Sequence, residues 1–302
     1  MINSPVATLL RMGLACLACS VVDGWTEPPV PSAEERLAVE LSLQLAREGD
    51  VRSSAIEFRR LGRSVEDPES EAGYFWAAAH QYWMINEYRV AERLLDRAED
   101  VWPPVADRAL LLRGESSMAR QDYGEAVFYW NSLVRGAPDE EPDQEVYARR
   151  RLATTHLRRG RTDEARRALK ESPAPEKDAI RSLQAYEAGR DKNPTLGGWL
   201  GVIPGMGYVY AGEYANAFRS LLLNAIFIYG MVDTAQNSHW GGFAVITFFE
   251  VTWFTGSIYG GIDASHRYNR ERLERTIEEI EGGARFTPQW DHLPAISLRF
   301  TF

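Results

Sequence analysis

The chain has 302 residues, enough for two domains, with 45% hydrophobic and 25% charged residues and a formal net charge of −9. This acidic balance argues against non-specific nucleic-acid binding, which needs an excess of Lys and Arg to neutralise phosphates. The two cysteines, Cys16 and Cys19, both lie in an apolar stretch near the N-terminus, so no disulfide and no cysteine nucleophile or metal site is expected elsewhere.

Residues 1–22 have the pattern of a secretory signal peptide. One basic side chain, Arg11, precedes eleven small or apolar residues at 12–22, a run too short to span a bilayer. We expect export, with cleavage after Ala18 or Ser20. The alternative interpretation is a first helix buried in the folded domain.

Lipid attachment at Cys19 is a second possibility for the exported chain. The surrounding sequence, CLAC, resembles a bacterial lipobox, although Cys16 stands where a larger aliphatic residue is usual. The acidic, proline-rich residues 23–31 are then expected to be a linker.

Residues 32–176 contain a phrase that recurs four times at a helix–turn–helix position. It reads EGDVRSSAIEFRRL at 48–61, NEYRVAERLLDRA at 86–98, QDYGEAVFYWNSL at 121–133 and GRTDEARRALKES at 160–172. Each phrase follows a helix with an apolar period, and the aligned alanines, Ala55, Ala91, Ala126 and Ala165, are 36, 35 and 39 residues apart. Such a period predicts repeated helix pairs.

This pattern resembles the tetratricopeptide repeat, whose period is about 34 residues. Two central units carry the family's residues at its spacing: Phe75, Ala79, Tyr82, Ala91, Leu95, Ala98 and Pro103 in one, and Leu110, Gly114, Ala126, Trp130, Leu133 and Pro138 in the other. The resemblance implies a solenoid of stacked helix pairs whose extended surface binds a protein partner. A generic helical bundle is the alternative.

Within the repeats, residues 147–170 are strongly basic. Their arginines are candidates for binding an acidic partner peptide or anionic lipid headgroups: Arg149, Arg150, Arg151, Arg158, Arg159 and Arg161. The alternative is a solvated arginine-rich face. A short amphipathic linker helix is predicted at 177–192, ending near Asn193.

The next segment, 193–266, carries only five charged residues. Its pattern predicts a membrane-associated helical hairpin, with one helix at 217–235, a turn in NSHWGG and a second helix at 241–266. Several Tyr and Trp residues lie near the segment ends, as an interfacial belt requires. The alternative is a buried pair of apolar helices packed on the repeats in a soluble protein.

Small and polar residues mark where this module would pack. Glycines at intervals of four predict close helix contacts around a proline turn, and polar residues within the segment are expected to face the interior of the bundle. The candidate residues are Gly197, Gly201, Pro204, Gly205, Gly207, Asn224, Glu250, Gly256, Gly260 and Asp263.

The glycine-rich stretch GGWLGVIPGMG does not fit a phosphate-binding loop. Such a loop needs Lys and then Ser or Thr after its last glycine, whereas Met206 and Tyr208 flank Gly207. The dinucleotide fingerprint also fails, because Tyr210 stands where its third glycine should be.

The segment instead resembles a small bacterial hydrophobic module related to the TM2-type domains. The match lies in IPGMGYVYAGEYANAFRSLLLNA and FFEVTWFTGSIYGGIDASHRYN, and includes a Pro-Gly-x-Gly-x-x-Tyr-x-Gly turn that starts at Pro204. The resemblance implies membrane association and helical hairpins but no reaction.

The tail, 267–302, is expected to begin as a charged helix that continues the hairpin and stops at Gly282-Gly283. Its last residues alternate, with Ile296, Leu298, Phe300 and Phe302 on one face, which predicts one β-strand. The basic stretch SHRYNRERLER suggests a cytoplasmic tail and an odd number of crossings, whereas two spans would put repeats and tail on one side. The path of 194–210 decides between them.

The predicted fold is therefore mainly α: a tetratricopeptide-like solenoid, a membrane-associated helical hairpin and a short tail with one strand. No catalytic set is found, since His80 and His156 have no partner at metal-ligand spacing, so neither an enzyme nor a cofactor is expected. The leading hypothesis is a membrane-anchored scaffold in a bacterial cell envelope, with exported repeats that bind a protein partner. The alternatives are an oligomeric channel lined by Asn224, Asp233, Glu250 and Asp263, and a soluble adaptor.

Overall fold

A computed structural model of the chain describes residues 32–136, 142–174, 176–289 and 297–302. The expected signal at 1–22, the linker at 23–31 and the candidate lipid site at Cys19 lie outside these residues, so they stay predictions. The described residues divide into two compact units: one contains those up to Ala106 with Gln289 and Ser297, and the other contains those from Asp107 to Pro288 with Leu298–Phe302.

In its described residues, the first unit consists of four helices and a short 3₁₀ turn. They are α1 (Ala33–Arg47), α2 (Val51–Ser64), α3 (Pro68–Met84), α4 (Tyr88–Val101) and the turn Pro103–Val105. Side-chain caps fix three of the starts: Ser32 with Glu35 forms a capping box at α1, while Asp50 and Asp67 accept backbone N–H groups at α2 and α3.

Helix α3 is the centre of this unit, since α2 and α4 both pack against it. Its residues from Ala72 to Tyr82 are all buried, and Trp76 on α3 and Phe58 on α2 are fully buried. The repeat alanine Ala55 is also fully buried, which lets the helices approach closely. These helix pairs agree with the predicted helix–turn–helix phrases, while membership of the tetratricopeptide family stays a prediction.

The second unit contains nine more helices and two strands among its described residues. They are α5 (Ala106–Ala119), α6 (Tyr123–Gly136), α7 (Pro142–Arg158), α8 (Thr162–Lys170), α9 (Lys177–Ala188), α10 (Pro194–Leu200), α11 (Met206–Ala211), α12 (Tyr214–Gln236), α13 (Trp240–Glu281), β1 (Arg285–Gln289) and β2 (Ser297–Thr301). The predicted mainly α fold with a strand in the tail is confirmed. Strand β1 was not predicted, and the linker helix ends at Ala188, earlier than expected.

The core of this unit gathers α6–α9, the last turns of α13 and the tail. Ile277 and Ile280 of α13 join the buried cluster that contains Trp130, and α13 packs on α7 and α9. The two strands pair in one small sheet. Phe286 and Phe300 bring their rings to 6.1 and 5.4 Å from that of Tyr147. The predicted boundary at 266–267 therefore falls inside one continuous helix that ends in the core.

The stability of the first unit is expected to depend on pH through His80 on α3. His80 is 9% exposed, its ring stacks on Trp76 with 5.6 Å between centroids, and burial lowers its pKa from 6.5 to about 4. The folded state keeps the ring neutral, so stability that is present above pH 6.5 is lost as the pH falls towards about 4. The full loss is about 3 kcal/mol at 1.36 kcal/mol per pKa unit.

Urea unfolding of the full chain in detergent micelles, at about pH 7 and about pH 5, tests this expectation. The His80→Gln variant keeps a neutral polar side chain, so its urea midpoint should fall less on acidification than that of the wild type. Burial also lowers the pKa of His156 on α7. Its protonation on acidification therefore lowers the free energy of unfolding in both proteins. Equal falls in wild type and variant would contradict the role of His80.

Candidate functional site

Helices α12 and α13 form an antiparallel hairpin whose outer surface is apolar. Both are long and apolar enough to cross a membrane: α12 has 23 residues, about 35 Å at 1.5 Å per residue, and α13 has 42. In the most apolar stretch of each helix, only 17% of the residues of α12 and 11% of those of α13 are buried. The exposed large side chains include Phe218, Leu221, Leu222, Ile226, Ile228, Tyr229, Val245, Phe248, Phe249, Val251 and Trp253.

This exposure differs from the alternative in which the two helices are buried against the repeats. A core helix of a soluble protein buries its large apolar side chains, whereas Phe218 and Phe248 are 65% and 69% exposed. A continuous exposed apolar surface of this length marks contact with lipid or with another protein.

Helices α10 and α11 pack on α13 through contacts between backbones. A Cβ atom added at Gly197 would lie 2.5 Å from the carbonyl oxygen of Gly261, and one at Gly207 would lie 2.7 Å from the Gly261 Cα. A Cβ atom added at Gly201, the C-cap residue of α10, would lie 2.7 Å from the Cα of Ile258. Only glycine at these positions permits so close an approach.

The turn between α10 and α11 contains Pro204 and Gly205. Gly205 has a φ of +85°, in the left-handed region that favours glycine. A Cβ there would also lie 2.5 Å from the carbonyl oxygen of Ala217 on α12. The turn is therefore held against the first turns of α12 as well as by its own conformation.

On α13 only one of the two glycines expected to pack is in contact with α11. A Cβ added at Gly260 would meet the ring and hydroxyl of Tyr208, but one added at Gly256 would meet no described atom within 4 Å outside its chain neighbours and the nearby backbone of α13. The contact expected at Gly256 is therefore wrong. Ser257, Gly261 and Ser265, also spaced by four, lie on the packed face, and all three are buried. This second ladder is visible in the sequence and was missed.

A polar cluster lies between α12 and α13. The Ser220 hydroxyl donates to the Ser257 hydroxyl at 3.1 Å, and the Asn224 amide donates to the Ser220 carbonyl at 2.6 Å. Asn224 is 1% exposed and Glu250 is 8% exposed. Within the described chain, neither Asn224 Oδ1 nor Glu250 Oε2 has a hydrogen-bond partner. Both side chains thus face the interior of the hairpin, without bonding to one another.

The four residues of the channel hypothesis do not share one environment. Asn224 and Glu250 are buried, whereas Asp233 and Asp263 are exposed, and Asp263 pairs with Arg267. Within a single chain these side chains therefore do not line a common path.

Charged and polar side chains form a collar at one end of the hairpin. Arg267 of α13 binds both carboxylate oxygens of Glu213, just before α12, at 2.9 Å each. Asn269 accepts from the Lys192 N–H at 2.7 Å, and the Asn193 N–H donates to the Tyr210 hydroxyl at 2.9 Å. These bonds place three parts of the chain beside the same segment of α13: the start of α10, the end of α11 and the start of α12.

Aromatic side chains are exposed at both ends of the hairpin. Tyr214 begins α12 beside the collar and Trp240 begins α13 at the other end, and they are 70% and 65% exposed. At the collar, the Lys192 ammonium lies 4.8 Å from the ring centre of Tyr210 and 5.2 Å from that of Tyr268. Amphipathic rings at such positions suit a boundary between lipid and water.

Four of the six candidate partner-binding arginines make ion pairs within the chain. Arg149 pairs with Glu145 and Glu171, Arg150 with Glu176, Arg151 with Glu115 and Glu281, and Arg158 with Glu274. The glutamates 274 and 281 belong to α13, far along the chain, and no local pattern indicated them. Arg159 and Arg161 are exposed. Partner binding stays a prediction for this stretch, and four of its arginines already have carboxylate partners.

No group of three or more His, Cys, Asp or Glu side chains in the part of the chain described could hold a metal ion. Comparison of the chain with family models, with curated proteins and with solved structures finds no match.

Proposed function

We propose that this protein is a membrane-anchored scaffold of a bacterial cell envelope, in which tetratricopeptide-like repeats recruit a protein partner. The exposed apolar surface of the α12–α13 hairpin, bounded at one end by the charged collar, is the observation that carries the proposal. In water this surface would be costly, since burying apolar area is worth roughly 25 cal/mol per Å². In the hydrocarbon core of a bilayer the same apolar side chains contact lipid, so this cost does not arise.

In the proposed arrangement, α12 and the first half of α13 cross the bilayer and α10–α11 do not. Helices α10 and α11 have 7 and 6 residues, about 10 Å each, against a hydrocarbon core of about 30 Å. The hydrogen bond between the Asn193 N–H and the Tyr210 hydroxyl joins the start of α10 to the end of α11. It supports a path in which the chain turns back between these helices and does not cross the bilayer. The number of crossings is then two, and the repeats and the tail share one side.

The continuity of α13 supports a scaffold rather than a tethered domain. The helix runs from Trp240 to Glu281 without a break, and its last turns are part of the core that contains Trp130. A partner bound to the second unit would therefore be held at a fixed orientation to the bilayer, because no flexible linker intervenes.

Cysteine accessibility in cells tests this topology. With Cys16 and Cys19 replaced by Ser, single reporters are placed by the changes Arg60→Cys, Asn237→Cys and Arg285→Cys, all at exposed positions. We expect reporters 60 and 285 to react with an impermeant maleimide from the same side of the membrane, and reporter 237 only from the opposite side. Labelling of 60 and 285 from opposite sides would show an odd number of crossings and sink the proposed arrangement.

Carbonate washing of membranes tests whether the protein is anchored in the bilayer, whatever the number of crossings. The full chain is expected to stay in the membrane pellet, because two apolar helices are embedded in lipid. Recovery of the protein in the soluble fraction would favour the soluble adaptor instead.

A further inference from the structure

A cleft of about 580 Å³ opens on the first unit between α2 and α4, with α3 at its base. Four arginines line it: Arg59 and Arg63 from α2, and Arg93 and Arg97 from α4. They occur in a unit where Asp and Glu outnumber Arg. The cleft is therefore a local concentration of positive charge on an acidic protein.

Most of this charge is not compensated within the part of the chain that the structure describes. Glu71 is the one carboxylate among the described residues that line the cleft, and it pairs with Arg97 at 2.8 Å. Among the residues that the structure describes, Arg59, Arg63 and Arg93 make no ion pair. In addition, the two arginines of each helix are four residues apart, a spacing at which like charges destabilise a helix. Within the described residues Glu71 offsets this repulsion only at Arg97, and the remaining positive charge points to an anionic ligand.

The base of the cleft is apolar. Phe75 of α3 lies beneath the Arg97 guanidinium, 5.8 Å from its carbon to the ring centre. Val90 and Leu94 of α4 complete this surface. A guanidinium group binds a carboxylate through two parallel hydrogen bonds. Several guanidinium groups around an apolar base therefore suit a ligand that combines carboxylates with an apolar side chain.

We propose that the α2–α4 cleft binds an acidic peptide segment of a partner protein, with carboxylates on Arg59, Arg63 and Arg93 and an apolar side chain over Phe75. The inference deepens the proposed scaffold function, because it states the chemistry of the partner. It differs from the arginines of 147–170, most of which already have carboxylate partners.

An array of 12-residue peptides tests the proposal on the full chain in detergent micelles. The probe peptides alternate Asp or Glu with Leu, Phe or Ser, and each has a counterpart with Asn or Gln in place of its carboxylates. The test variant is Arg59→Glu/Arg93→Glu. The matched control is Arg47→Glu/Arg89→Glu, which makes the same charge change at exposed arginines on α1 and α4 outside the cleft.

We expect acidic peptides to bind the wild type at least tenfold more tightly than their amide counterparts. The test variant should lose at least tenfold in affinity and the control less than twofold. Equal losses in the two variants would assign binding to overall charge, and absence of a preference for the acidic peptides would overturn the proposal. Inorganic pyrophosphate that binds the cleft more tightly than every peptide would overturn it in favour of a phosphoryl ligand.

These outcomes are independent of the membrane experiments. A chain that stays in the carbonate pellet yet shows no acidic preference would disprove the cleft assignment alone. A chain that binds acidic peptides through Arg59 and Arg93 but washes into the soluble fraction would disprove the membrane anchor alone.

Discussion

A single methyl group at Gly261 is expected to detach α10 and α11 from α13. The Cβ of a Gly261→Ala variant would clash with the carbonyl oxygen of Gly197 and lie 3.0 Å from the Gly207 Cα. Both neighbours are backbone atoms, so no rotamer change relieves the contact. Overpacking in closely packed sites costs about 1–3 kcal/mol, and we expect a loss near the upper end of this range.

Hydrogen exchange of the full chain in micelles measures the effect on α10 and α11. Peptides covering residues 194–211 should exchange faster in the Gly261→Ala variant, while those from α12 change less.

Gly256→Ala is the matched control on the same helix. Outside its chain neighbours and the nearby backbone of α13, no described atom lies within 4 Å of a Cβ added there, and Ala stabilises a helix interior by about 1 kcal/mol relative to Gly. The two variants should therefore shift stability in opposite directions. Faster exchange of 194–211 in both, or in neither, would contradict the packing described for Gly261.

The different roles of Gly256 and Gly261 show where sequence reasoning reached its limit in the hairpin. Apolar content and helix stop signals predicted the two long helices and the stop at Gly282, because these depend on local residues. Two small-residue ladders, one through Gly256 and one through Gly261, occur on the same helix. How much of each ladder is packed depends on the rotation of α13 against α10 and α11, a tertiary property that no local pattern contains.

The same limit applies to the arginines of α7. In the sequence, Arg149, Arg150 and Arg151 form a basic run and predict a surface for an acidic partner. The carboxylates that pair with Arg151 come from distant parts of the chain: Glu115 is 36 residues away and Glu281 is 130 residues away. Ion pairs at such separations can be found only once the fold is known. The strand β1 was missed for a related reason, since its pairing with β2 is what makes it a strand.

Removing the guanidinium of Arg151 is expected to destabilise the second unit by about 3 kcal/mol, because it leaves a buried carboxylate without its partner. Arg151 donates to Glu115 at 2.6 Å and to Glu281 at 2.7 Å. Tyr147 also donates to Glu115, at 2.7 Å, and burial together with this carboxylate raises the pKa of Tyr147. The side chains of Arg151 and Glu115 are only 16% and 7% exposed.

The Arg151→Met variant keeps the volume of the side chain and loses both ion pairs. Its urea midpoint in micelles should fall clearly below that of the wild type, and hydrogen exchange at residues 263–281 should rise as the end of α13 loosens from α7. Arg159→Met on an exposed neighbour is the matched control, and its effect should stay within about 0.5 kcal/mol. Equal midpoints for the two variants would show that the buried pairs do not stabilise the unit.

A double variant separates loss of the ion pair from loss of packing. In Glu115→Met/Arg151→Met no charge at position 115 is left without a partner, so the double variant should be less destabilised than the sum of its two single variants. Glu281, whose side chain is 23% exposed, can then be solvated by water. Strictly additive losses would mean that Arg151 and Glu115 act independently. In that case the attachment of α13 to α7 would rest on its apolar contacts, with Ile277 and Ile280 as the residues to test next.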